Sequence, residues 1–138
     1  MVADPELEHA YRHTTYAAET PVGRVSIRIG KACPVLDELL DLLGRRHWSV
    51  VTAWNPRSLP LSRADNDKRQ AELLQIVEQL PHYPAANEPD NGDPSFYEES
   101  ALIVGIDGDS AAELGRRFEQ HAVVVGEVGQ GARLVWCD

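Results

Sequence analysis

The chain lacks most of the features that announce a reaction. It has only two cysteines, Cys33 and Cys137, and they show no metal or redox spacing. A disulfide between them is open but unneeded in 138 residues, so both are read as inert thiols. Cys33 precedes Pro34 and is placed at a helix start, where a thiolate would be stabilised, yet no histidine stands near it in sequence. No apolar run approaches the ~18 residues that cross a bilayer. The opening MVADPELEHAYRH is acidic and polar, unlike a signal or transit peptide. A cytoplasmic protein without membrane contact is expected.

Basic residues are also scarce. Thirteen Lys and Arg face 22 Asp and Glu, a net charge of −9. Phosphate backbones repel such a surface, which argues against direct nucleic-acid binding. A stretch free of Lys and Arg holds Glu88, Asp90, Asp93, Glu98 and Glu99. It is read first as a solvated loop and second as a nucleic-acid mimic that competes for a basic partner. Phosphate-loop, dinucleotide and nucleophile-elbow motifs are absent, and no cofactor is expected. His9 and His13 have helical metal spacing without a neighbouring Glu or third ligand, so no metal is expected either.

What is present is an ordinary soluble composition, 43% hydrophobic and 25% charged, sized for one domain over residues 1–138. Residues 1–10 read as frayed, with Asp4-Pro5 able to start a short helix through His13. Alternation on either side of Thr20-Pro-Val-Gly23 predicts a hairpin with one buried face. Pro34 to Arg46 reads as a helix carrying Val35, Leu36, Leu39, Leu40 and Leu43, and Trp48 to Trp54 as a strand stopped by Asn55-Pro56. Ser62 opens a second helix with the apolar positions Leu73, Leu74, Val77 and Leu80.

Residues 82–95, HYPAANEPDNGDPS, read as a long functional loop. The run Ala101 to Ile106 then predicts a central strand, and Ser110-Ala-Ala-Glu113 the capping box of a third helix. A closing hairpin flanks Gly129-Gln-Gly131. The expected fold is α/β (α+β), a single mixed sheet packed by about three helices in the order ββαβαβαββ.

Around VVTAWNPRSLPLSRADNDKR, residues 50–69, polar side chains gather where a strand hands over to a helix. The candidate ligand-binding set is Thr52, Asn55, Asn66, Arg69 and Gln120. Asn55 alone is also explained as a turn residue. Asn66 and Arg69 lie three apart on one helical face, where Arg69 could hold an anion. Glu98 and Glu99 are the catalytic candidates, but adjacent strand residues face opposite ways, so they do not form a carboxylate pair. Ser100 has no histidine partner and is read as a local hydrogen-bonder.

Direction decides whether the set meets. If the strand ending at Asn55 and the strand starting at Glu98 run antiparallel, Glu98 returns to the same sheet edge. The surplus length of 82–95 favours that arrangement over a short right-handed crossover.

Thr52-Ala-Trp-Asn-Pro56, Asn66-x-x-Arg69, Glu98-Glu-Ser100 and Phe118-x-Gln120-x-Ala122 resemble the pattern of a bacterial family, domain of unknown function 3293. The likeness runs from about Tyr11 to Leu134. Tyr97 matches the family's aromatic before the Glu pair, whereas His121 replaces an Asn common after the Gln. The resemblance implies shared sites and supplies no reaction. The expectation is a small bacterial cytoplasmic binding or interaction module with a polar site around the TAWNP loop, its partner a small polar ligand or a protein. The alternatives are an enzyme on a small polar or nucleotide-like substrate, with Glu98 or Glu99 as base, and an acidic inhibitor.

Overall fold

In the computed structural model, which describes residues 4–137 apart from the Ser95 side chain, four helices pack on one seven-stranded sheet. Residues 1–3 of the segment expected to fray lie outside the described residues. Asp4 caps α1 (Pro5–Arg12) by accepting from the Glu6 and Leu7 amides. On α1 the His9 ring and the His13 ring stack at 3.9 Å.

The expected first hairpin is β1 (Thr14–Thr20) and β2 (Gly23–Ile27), followed by α2 (Pro34–Leu43). Gly44 ends α2 at φ 65°, a left-handed cap that glycine adopts at no steric cost. Leu36, Leu39 and Leu40 form its buried stripe, while Val35 stays exposed. Then come β3 (His47–Val51), α3 (Arg63–Ile76), β4 (His82–Pro89), β5 (Glu98–Val104), α4 (Gly108–Arg117), β6 (Ala122–Glu127) and β7 (Arg133–Trp136).

Strand order is β2-β1-β4-β5-β3-β6-β7, and every ladder is antiparallel. An isolated parallel bridge, Ile29 to Ala132, joins the chain after β2 to the entry of β7. Strands from opposite ends of the order therefore approach each other, and the sheet is curled. Its inner side packs Trp48, Val50, Leu102 and Val104 on the leucines of α2. Its outer side packs Val51, Ala101, Ile103 and Val125 against α3 and α4 through Leu73, Leu114 and Phe118.

Two local expectations change. Residues 82–89 form β4, so the long loop shrinks to 90–97. Prolines 84 and 89 hide this strand from a sequence reading, because proline cannot donate to a ladder. Pro84 lies outside the ladder with β1, which begins at Ala85, and Pro89 ends it opposite Thr14. The third helix also starts earlier than its S-x-x-E pattern indicates. Asp107 is its N-cap and accepts from the Ser110 amide at 2.8 Å, so Ser110 and Glu113 lie within the helix.

Trp48 and Gly126 are cross-strand partners on the inner side. A Cβ added at Gly126 would fall 2.5 Å from the Trp48 indole. Gly126→Ala should therefore cost about 1–3 kcal/mol by overpacking, read as a lower urea midpoint with unchanged m. A neutral result would show that the indole slides freely.

Candidate functional site

β3 ends its ladder at Val51, and the next residues leave the ladder although Thr52 Oγ1 still donates to the Glu99 carbonyl of β5 at 2.6 Å. Buried backbone groups must find partners, and here side chains supply them. Gln70 accepts from the Ala53 amide at 3.1 Å, and Arg69 Nε donates to the Ala53 carbonyl at 2.7 Å. Thr52 Oγ1 accepts from the Trp54 amide at 3.1 Å, and Gln120 Nε2 donates to the Trp54 carbonyl at 2.9 Å. Asn66 Oδ1 accepts from the Asn55 amide at 2.9 Å. Five consecutive backbone groups are thus held by five side chains from α3, the strand end and the chain after α4. They take the place of ladder hydrogen bonds that the segment does not make.

Asn55 is the centre of this arrangement. Its backbone sits at φ 47°, ψ 67°, a left-handed region that asparagine tolerates better than most residues. Its Oδ1 accepts from Asn66 Nδ2 at 2.9 Å and from the Leu61 amide at 3.1 Å. Its Nδ2 donates to Glu98 Oε2 at 3.3 Å. Arg57 and Ser58 also have positive φ, and the Arg57 amide donates to the carbonyl of Glu119, itself at φ 58°. The loop is held in one strained shape from both sides.

β3 and β5 are antiparallel, with Val51 opposite Ala101, so Glu98 does return to the edge where Asn55 lies. The sequence-derived set therefore gathers at one edge but divides between two faces. Glu98 shares the inner face of Leu102 and Val104. There Asn55 and Asn87 hydrogen-bond it, and Ser100 Oγ donates to Asn87 Oδ1 at 2.8 Å. Burial pushes the Glu98 carboxyl up to about 7, only partly offset by the two amides. Burial, with Tyr11 and Glu98 nearby, likewise raises the Tyr16 phenol far above its usual value.

Glu99 points outward, where Arg63 Nη2 lies 2.5 Å from Oε2. Arg69 is on that outer side too, its Nη2 donating to the Phe118 carbonyl at 2.6 Å and its guanidinium 5.8 Å from the Phe118 ring. Trp54 is 6% exposed, with Arg63 5.0 Å over its ring and Tyr97 edge-on at 6.3 Å. Its Nε1 is buried without a hydrogen-bond partner among the described residues.

Sequence reasoning missed Gln70, Asn87 and Tyr16. Gln70 is four residues from Asn66 and thus on the same helical face, a signal that was available. Asn87 was concealed with its strand. Two hollows are present. An open cleft of about 660 Å³ reaches this edge at Gln70, Tyr97 and Glu99 and runs along the outer side between Leu74 of α3 and Ala17 and Ala86. A smaller one of about 240 Å³, lined by His47, Asp107 and Arg133, is at the opposite sheet edge. No group of three His, Cys, Asp or Glu among the described residues is placed to hold a metal ion. No described helix is long and apolar enough to cross a membrane.

Comparison with curated proteins and with solved structures returns no significant match. A family model described as protein of unknown function (DUF3293) matches residues 51–123, the segment from the end of β3 into β6 that contains the whole TAWNP arrangement. With more than half of its residues matched, the chain belongs to the DUF3293 family.

Proposed function

We propose that the chain is a cytoplasmic interaction module that binds a protein segment at the outer side of the TAWNP edge. One observation carries this reading. The polar side chains of the edge are spent on the loop's own backbone, while Leu59, Leu61, Phe96 and Tyr97 remain exposed beside it, at 63%, 36%, 65% and 37%. Leu61 hangs on Asn55 through its amide, and Tyr97 packs on Trp54. Apolar side chains gathered on a preorganised loop favour association, because little ordering entropy remains to be lost. Tyr97, Trp54 and Arg63 are residue types that dominate binding hot spots.

The enzymatic alternative asks for a titratable carboxyl and Arg69 in one pocket. Glu98 titrates on the inner face while Arg69 donates to carbonyls on the outer one, so it draws less support. For the acidic mimic, Glu88, Asp90 and Glu99 already face Arg24, Arg28 and Arg63.

The test selects binders from a displayed random-peptide library and maps them by amide chemical shifts. Enriched peptides should perturb residues 54–61 and 96–97. A Leu59→Ser, Phe96→Ser double variant should bind them roughly thirtyfold more weakly at unchanged melting temperature. Enrichment that maps to Ala17, Arg24 and Ala86 and leaves residues 54–61 unperturbed, or no enrichment, would overturn the reading.

A further inference from the structure

The open cleft on the outer side, about 660 Å³, lies within the ~300–1,000 Å³ range of ligand clefts. Ala17 and Ala86, partners across β1 and β4, give it a floor of small side chains, and Leu74 and Pro84 add an apolar wall. Tyr97 and Glu99 line it too, so it is continuous with the apolar patch of the TAWNP edge.

Two features of the lining ask for a partner. Gln70 is 7% exposed, and its Oε1 is fixed on the Ala53 amide, which can only donate. Its Nε2 is thereby left to the cleft, with no acceptor among the described residues. A nearly buried donor left unpaired is costly, and an occupant with a carbonyl oxygen relieves that cost. The second feature is charge. Arg24 is shared between Glu19 at 3.2 Å and Glu88 at 3.0 Å, and Arg63 between Asp67 at 3.0 Å and Glu99. Each arginine answers two carboxylates, so negative charge is in surplus along this side.

These features narrow the occupant. Nucleic acid would meet the surplus with more negative charge. A polyamine brings cations but no acceptor for Gln70, and a neutral peptide leaves the acids unanswered. A peptide with Lys or Arg supplies both groups, and the methylene stems of those side chains can cover Ala17, Ala86 and Leu74.

Resting on the protein-binding reading, we infer that the partner is a basic segment. Its apolar side chains cover Phe96 and Tyr97, and its Lys or Arg residues run on into the cleft, where a backbone carbonyl accepts from Gln70 Nε2.

Peptides selected from the displayed random library are synthesised and titrated into the full chain. Those that shift residues 54–61 should carry Lys or Arg at one end. They should also shift the amides of Ala17, Arg24 and Ala86 and the side-chain amide of Gln70. Replacing their basic residues by Gln should weaken binding roughly tenfold. A Glu19→Gln, Glu88→Gln double variant should weaken the basic peptide by a similar factor and leave the Gln-substituted one unchanged. Both side chains are exposed, at 65% and 42%, so this variant should keep its melting temperature. Peptides that shift residues 54–61 without basic residues, without the cleft shifts, or with equal affinity after either replacement would overturn the inference and leave the protein-binding reading standing. A selection that yields nothing at residues 54–61 would fail that reading itself, and the basic segment with it.

Discussion

Asn55→Ala should destabilise the protein by about 3–4 kcal/mol, with the urea midpoint falling and m unchanged. Two costs combine. Alanine at φ 47° pays about 1–2 kcal/mol for left-handed backbone that asparagine tolerates better. Loss of Oδ1 removes one acceptor from Asn66 Nδ2, in a residue only 2% exposed, and the acceptor of the exposed Leu61 amide. That adds about 1–3 kcal/mol for polar groups left wanting.

Comparison variants separate the two costs. Asn55→Gly restores the backbone and should recover only the first part. Asn55→Asp keeps both acceptor contacts but loses the donor to Glu98 and brings a second carboxylate to it. It should be stable near pH 5, where Glu98 holds its proton, and lose stability as that proton leaves. If alanine and glycine behave alike, the left-handed backbone costs nothing, and if glycine matches wild type the side-chain network contributes little; either result would make the account of the loop wrong.

The same network explains what the sequence made legible. Asn66, Arg69, Gln120 and Thr52 stood out because polar residues at a strand end and on one helix face need a reason. The reason is local: they complete the hydrogen bonds of a segment that has left the ladder. Sequence spacing shows which residues share a face but not whether their partners are ligand atoms or backbone carbonyls. The sheet class and both hairpins followed from alternation and turn residues. β4 did not, because Pro84 lies beyond the β1 ladder while pairing with β5, and Pro89 closes the strand, facts of register that composition does not carry. Whether Glu98 met Asn55 hinged on that hidden strand. By crossing the sheet once more, β4 sets β5 antiparallel to β3 and returns Glu98 to the TAWNP edge.

Glu98→Gln should remove a pH dependence of stability and leave the variant more stable than wild type above neutrality. The folded chain raises this carboxyl from 4.5 to about 7, chiefly by burial. A group raised on folding contributes stability that is complete below its unfolded value and lost as pH rises through the folded one. The window is therefore roughly pH 4.5 to 7, with the wild type losing stability toward alkaline pH. At about 1.4 kcal/mol per pH unit, the loss approaches about 3 kcal/mol as an upper limit.

Asp90 and Asp107 act oppositely. Their carboxyls are lowered by Arg28 and by the Ser110 amide, so their contributions fade only as pH falls below about 4, outside this window. All other titratable groups are common to both chains, so subtracting the variant's profile from the wild type's cancels them. Urea midpoints at about pH 5 and about pH 8 give the difference directly. A wild-type-minus-variant difference that stays flat between them would mean that Glu98 is solvated and that burial does not set its proton affinity.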